Sequence, residues 1–193
     1  AHLVHLLAYH PEELAASPWV LFKVWAGMSS YGGMFSAAIA CAIYMRLHRV
    51  PFVPYADVLV FALMHLWFFG RLGCTTVHDH PGHLSQFWLA VKFPNGPRHD
   101  LGLYEWLLCF LWIPLVHWIG RKKKVDDPPR GTLLHVMLVA YSVPRFFLDY
   151  LRAYDLANSD VRYFGLTPAQ YACIAFTLIG LRFLLTSKKS RPT

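Results

Sequence analysis

The sequence predicts an all-α fold, a polytopic membrane helix bundle with about five transmembrane helices and a loop or head region on its outer face. Three observations predict it. The 193 residues are 56% hydrophobic and only 15% charged, against about 45–50% and about 25% in ordinary soluble domains. Apolar runs recur along the chain and approach the roughly 17–25 residues that a helix needs to cross a bilayer. Basic clusters follow the first, third and fifth runs, so alternating crossings put all of them on one side, which the positive-inside rule makes cytoplasmic. An aromatic content of 16% excludes a disordered chain. The length fits one integral membrane domain over residues 1–193.

The elements follow in order. Pro18 to Lys23, with Trp19 and Trp25 nearby, is apolar but short, and reads as an interfacial helix or the tail of another crossing. The first crossing runs from about Met34 to Met45 and reaches back through Tyr31-Gly32-Gly33, a tight turn before the helix; Arg46 to Arg49 follow it. The second runs from Val58 to Phe69. The chain then stays on the outer side from Gly70 to Gly102. Within that stretch residues 77–102 carry Pro81, Pro94 and Pro97 and exceed the usual loop, so they form a functional loop or small folded head. The third crossing, Leu101 to Ile119, carries Pro114, and the fourth, Leu133 to Leu151, carries Pro144. Membrane helices tolerate proline where neighbours satisfy the freed carbonyl, and each proline marks a kink. Arg121-Lys122-Lys123-Lys124 closes the third crossing, and the stretch to Arg130 is a solvated cytoplasmic charge run. The fifth, Tyr171 to Leu185, ends at Lys188-Lys189-Ser190-Arg191, which puts the C-terminus in the cytoplasm.

The net charge of +7 does not indicate nucleic acid, because the basic residues are divided among helix ends with no aromatic platform. Cys41, Cys74, Cys109 and Cys173 form no CxxC pair, so neither a zinc ribbon nor a redox motif is indicated. Those inside apolar runs read as small buried hydrophobes. His78-Asp79-His80, with His83 and His99-Asp100 beyond, invites a zinc or iron reading. That spacing is common in surface loops, and no metal ligand is assigned.

Ionisable residues within membrane helices are functional hypotheses by default. Arg71 sits at the outer end of the second crossing and Glu105 at the outer end of the third. Arg145 and Asp149 are four residues apart on one face of the fourth, with Tyr141 one turn earlier. Two guanidinium forks facing a membrane cavity suit a lipid phosphate. The plainer alternative is that Arg145 pairs with Asp149 and that Arg71 snorkels to the interface. Gly32 and Gly33 allow a headgroup to approach the backbone.

At this point the residues resemble the bacterial prolipoprotein diacylglyceryl transferase family. Gly70-Arg71-Leu72-Gly73-Cys74, ending at Gly82, is similar to the family signature. Ser30-Tyr31-Gly32-Gly33-Met34 resembles its His-Gly-Gly-Leu turn, and Arg98 to Glu105 resembles its Arg-His-Pro-Ser-Gln-Leu-Tyr-Glu motif. Tyr141 followed by Arg145 to Arg152 is similar to its Tyr-x3-Arg-Phe-x2-Glu-x2-Arg helix, and Gly165 to Gln170 to the start of its final helix. These pieces occur in the family order across about residues 19–175.

The resemblance implies a seven-helix protein of the bacterial inner membrane, of which this chain lacks the first helix and most or all of the second, with its site facing the periplasm. It implies transfer of diacylglyceryl from phosphatidylglycerol to the lipobox cysteine thiol of a prolipoprotein, with no cofactor. Its partners are phosphatidylglycerol, the prolipoprotein signal peptide and membrane lipids. Arg71, Arg145, Tyr31 and His99 become the catalytic candidates. Gly32, Gly33, Cys74, Asp79, Gly82, Tyr141, Asp149, Tyr104 and Glu105 become the substrate-binding ones. The chain departs from the family at Tyr31, where the turn has histidine, and at Asp149, where the helix has glutamate. Cys74 stands where asparagine is common, and Asp100-Leu101-Gly102 replaces Pro-Ser-Gln. A phenol of pKa about 10 is a poorer base at neutral pH than imidazole, so either the base has moved, with His78, His80 and His99 as candidates, or the activity is altered. Two rival readings stay open. One is a non-catalytic lipid-binding subunit among other membrane proteins. The other is a metal-dependent membrane hydrolase, which requires His78, His80 and His99 within ligand distance.

Overall fold

The computed structural model describes residues 2–23, 25, 27, 30–122, 131–156 and 159–189. Most of the expected charge run between Arg121 and Arg130, and the chain end from Ser190, lie outside the described residues. The chain divides into two compact units, residues 1–52 with 160–172 and residues 53–159 with 173–193.

In the first unit, α1 (His2–Tyr9), α2 (Pro11–Ala16) and a 3-10 helix (Pro18–Phe22) precede α3 (Ser30–Leu47). α2 opens with proline and has Glu12 and Glu13 in its first turn, where a fixed φ and negative charge both favour a helix start. The His2 ring faces Gly27 O at 2.9 Å through Nδ1 and Val20 O at 3.0 Å through Nε2. The first crossing was expected to begin after a turn at Tyr31-Gly32-Gly33; these residues instead form the first turns of α3. In an apolar surround the cost of an unbonded backbone exceeds the glycine helix penalty of about 1 kcal/mol. Cys41 is exposed on α3 rather than buried. The unit also contains the start of α7 (Pro168–Lys189). Thr167 N–H donates to Gln170 Oε1 at 2.9 Å and Gln170 N–H donates to Thr167 Oγ1 at 3.2 Å, a capping box.

The second unit holds α4 (Phe52–Val77), α5 (Leu101–Lys122), α6 (Thr132–Leu148), a 3-10 turn (Asp149–Leu151) and the rest of α7. α4, α5 and α7 supply spans long and apolar enough to cross a membrane: Tyr55–Val77, Leu101–Arg121 and Pro168–Thr186. By length and composition three helices qualify among the described residues, against the five expected. The apolar part of α3, Phe35–Leu47, is shorter. α6 has 17 residues, about 25 Å at about 1.5 Å per residue. α4 is longer than expected, because Gly70 to Val77 continues the helix instead of starting a loop.

The core of this unit joins Cys109, Trp112, Val116 and Ile119 of α5 to Leu133, Met137 and Tyr141 of α6, with Phe61, Met64 and Trp67 of α4 packed against them. Pro144 lacks the N–H that would bond the carbonyl four residues back. That carbonyl, Ala140 O, accepts the Trp112 Nε1 hydrogen at 3.0 Å, so a neighbouring helix repairs the break. At the other end of α6, the Leu134 N–H donates to Asp57 Oδ1 of α4 at 2.9 Å.

Between α4 and α5 lie β1 (Pro81–Leu84), β2 (Val91–Phe93) and β3 (Gly96–Asp100), an antiparallel sheet of order β1-β3-β2. An all-helical fold omits this sheet. Its strands are three to five residues long and lack the alternation that marks a strand in sequence. Gly96 has φ +117° at the turn, a conformation that favours glycine. Gly82 pairs with Arg152 across an isolated bridge. A Cβ at Gly82 would collide with Leu151 O and His99 Cβ, so only glycine lets these segments close.

A buried arginine–carboxylate chain as candidate active site

The C-terminal turns of α4, the first turn of α5 and the C-terminal end of α6 meet at one end of the second unit. Gly102 makes the first junction. A Cβ there would lie 3.2 Å from Cys74 Cβ and 3.1 Å from Asp100 Oδ1, so its absence lets α5 start against α4. Asp100 caps that start, accepting the Leu103 N–H at 3.2 Å. Glu105, one turn into α5, then faces Arg71.

Arg71 Nη2 lies 2.9 Å from Glu105 Oε2, and the other carboxylate oxygen, Oε1, lies 3.2 Å from Arg145 Nε. Arg145 Nη1 is 2.9 Å from Asp149 Oδ1, and Arg152 Nη1 stands 3.9 Å from the same oxygen. Arg71, Glu105, Arg145 and Asp149 are all buried. Two guanidinium groups thus share one carboxylate, and the second carboxylate holds Arg145 from the next turn. The Arg71 guanidinium also sits over the Trp67 ring, 4.6 Å from its centroid, a cation–π contact that helps keep the cation in an apolar place. Tyr141 is wedged between Trp67 and Trp112, ring centroids 5.6 and 5.4 Å away.

The expected site residues therefore divide. Arg71, Glu105, Arg145 and Asp149 form one connected chain, and Tyr141 packs on the tryptophan beneath it. Cys74 borders it, with Sγ 4.0 Å from Arg71 Nη1. Asp79 does not join it; its Oδ1 bonds His80 Nδ1 at 2.6 Å. His99 and Tyr104 bond each other, Nδ1 to Oη at 2.7 Å, and Gly82 is the close-packing point already described. Tyr31, Gly32 and Gly33 belong to the first unit, and the Tyr31 side chain lies outside the described residues. The gathering of His78, His80 and His99 is not found. His78 Nδ1 bonds Asp100 Oδ2 at 2.6 Å, and His99 stacks edge-on with His83 at 4.8 Å. Burial and the neighbouring His83 both push the His99 pKa down, which keeps this imidazole neutral at pH 7.

The roles of two residues, Asp100 and Arg98, escaped the sequence reading. Asp100 carried a signal, since an aspartate directly before an apolar run reads as an N-cap. Arg98 binds Asp155 through both terminal nitrogens, at 2.9 and 2.5 Å, and donates to Gly82 O at 3.1 Å. No local pattern announces a partner 57 residues away.

A set of apolar helices with a shared arginine–carboxylate chain buried where their ends meet defines a helical membrane protein. The family follows from comparison with known proteins. Residues 1–186 match the family model for prolipoprotein diacylglyceryl transferase, and the chain belongs to that family. It is 30% identical over 191 residues to the phosphatidylglycerol–prolipoprotein diacylglyceryl transferase of Chromohalobacter salexigens, covering 96% of this chain and 70% of that protein. The protein of the same name from Chlorobaculum tepidum is 30% identical, over 84% of this chain and 56% of its own length. That of Pseudomonas paraeruginosa is 26% identical, over 95% and 69%.

Proposed function

We infer that this protein transfers diacylglyceryl from phosphatidylglycerol to the lipobox cysteine thiol of prolipoproteins, multi-pass in the bacterial inner membrane. The single observation that carries the reading is Glu105 shared between Arg71 and Arg145 in a buried site. In the reaction a thiolate attacks the glyceryl carbon, the bond from that carbon to the phosphate oxygen breaks, and glycerol phosphate departs. The phosphate passes from a singly charged diester toward a doubly charged monoester. Guanidinium groups fixed in advance in a water-poor place stabilise that developing charge. Arg71 and Arg145 take this role, and Asp149 orients Arg145. Tyr141 lines the headgroup site, and Cys74 borders Arg71. Neutral His99, positioned by Tyr104, takes the thiol proton, with Tyr31 the alternative acceptor at the position of the family's histidine. Gly32 and Gly33 give the lipid access to backbone.

The proposed topology has five crossings, with α3 and α6 added to the three long spans. It places the arginine chain toward the periplasm and the C-terminus in the cytoplasm. Its support is the alternation of α4, α5 and α6, whose facing ends meet at the arginine chain, together with the basic residues after α3 and α5.

The test incubates the purified protein with phosphatidylglycerol and a lipobox peptide and reads the peptide by mass spectrometry. The expected result is a diacylglyceryl adduct on the cysteine that disappears with Arg71→Ala. Retained phosphatidylglycerol binding without an adduct would overturn transfer and favour a lipid-binding subunit.

A further inference from the structure

A second group of side chains lies at the end of α4 and includes Cys74, which also borders Arg71. The helix ends at Val77, and His78 takes a left-handed φ of 52° while its N–H bonds Cys74 O at 2.8 Å. This C-terminal cap turns the chain back, so that residues 79 and 80 return over the last turn of the helix. Cys74 Sγ, a carboxylate oxygen of Asp79 and an imidazole nitrogen of His80 all lie within 4.8 Å of one another. Cys74 is partly buried, while the Asp79 and His80 side chains are 48% and 25% exposed. Asp79 and His80 also line a cavity of about 330 Å³ with Pro81, Arg152, Ala153 and Ser159. The group is thus half sheltered and open to solvent on one side.

We propose that Cys74, Asp79 and His80 form a binding site for a thiophilic divalent cation of the zinc class. The donor set is one thiolate, one imidazole and one carboxylate, all proper zinc ligands, with the cavity supplying a fourth position for water. Sites of three protein ligands and one water are the open kind. Binding balances by release of the Cys74 thiol proton to solvent, since the metal takes the thiolate. The Asp79–His80 hydrogen bond gives way at the same time. Ligand atoms about 2.1 Å from a tetrahedral metal stand roughly 3.4 Å apart, so a pair now at 2.6 Å separates by under an ångström, within the reach of two partly exposed side chains. The site stands on these ligands and not on the transfer reaction.

Titration of the purified protein with Co²⁺ alone tests it. The expected result is one equivalent bound, with a near-ultraviolet sulfur-to-cobalt charge-transfer band that Zn²⁺ abolishes by competition. Cys74→Ser should remove the band, and His80→Gln should weaken binding by at least about tenfold. Cys41→Ser, which changes the exposed thiol on α3, should leave both unchanged. Absence of the band, its survival in Cys74→Ser, or its loss in Cys41→Ser would overturn the site. A circular-dichroism spectrum of each variant separates loss of metal from loss of fold.

Discussion

Arg71 and Arg98 both meet carboxylates brought from distant parts of the chain, but they are wired differently. Arg98 is saturated. Both terminal nitrogens engage Asp155 and one also donates to Gly82 O, a fork-to-fork pair closed by a backbone carbonyl. It ties the sheet to the segment after α6. Arg71 meets one oxygen of Glu105, and the other oxygen of that carboxylate is given to Arg145. A guanidinium carries five donor hydrogens. A shared carboxylate balances less of two such groups than a dedicated one balances of a single group. The comparison teaches that Arg98 is fixed by one dedicated partner, whereas Arg71 and Arg145 are coupled through a carboxylate they share, with Asp149 completing the hold on Arg145.

The largest expected effect comes from breaking the shared pair. Glu105→Gln leaves two buried guanidiniums around a neutral amide. Removing one partner of a buried pair typically costs about 3–5 kcal/mol, measurable as a lowered denaturation midpoint, and the headgroup site should disperse with it. Next is Arg71→Lys, which keeps charge and loses the fork. Adduct formation should fall by roughly 10²–10³-fold, the effect of losing one positioned charge stabiliser, while thermal stability changes little. Full activity in this variant would remove Arg71 from the phosphate site.

A smaller effect is steric. Gly82→Ala drives a methyl into Leu151 O and His99, and overpacking of this kind costs about 1–3 kcal/mol. It should loosen the sheet without abolishing transfer.

The pH dependence separates two titrating groups. The Arg98 hydrogen bond holds the Asp155 pKa below its ordinary value. Its stabilisation is therefore present above the unfolded value of about 3.9 and is lost as pH falls through the folded one. Asp155→Asn should increase amide exchange in residues 81–100 by roughly a few-fold at pH 7, and the difference from wild type should vanish in acid. His99 titrates below the ordinary histidine value, so the unfolded chain binds more protons as pH drops below about 6.5 and stability falls there. His99→Gln should flatten that acid slope. If His99 takes the thiol proton, transfer by the wild type should hold its plateau to a pH below about 6.5.

The helices were legible because apolar runs and basic ends are local properties. The end of α4 was not. Gly70 and Gly73 look like loop residues, yet the helix runs through them to Val77, because backbone in an apolar medium must bond internally. The sheet was hidden by its short, proline-bearing strands. At the site, Arg145 and Asp149 were readable because four residues bring them to one helix face. The bridge through Glu105 was not, because it depends on Gly102 letting α5 lie against α4. The Arg98–Asp155 and Asp57–α6 contacts join residues 57 and 77 apart, distances at which a single sequence carries no pairing signal.

The Asp57 contact has a consequence for assembly. Its α6 donor, the Leu134 N–H, lies 77 residues downstream, roughly 4–15 s of synthesis at about 5–20 residues per second. During that interval α4 carries a carboxylate near its N-terminal end whose partner helix has not yet been made. The bond from Leu134 to Asp57 can therefore close only after α6 has been made, later than the helical turns of α4 itself.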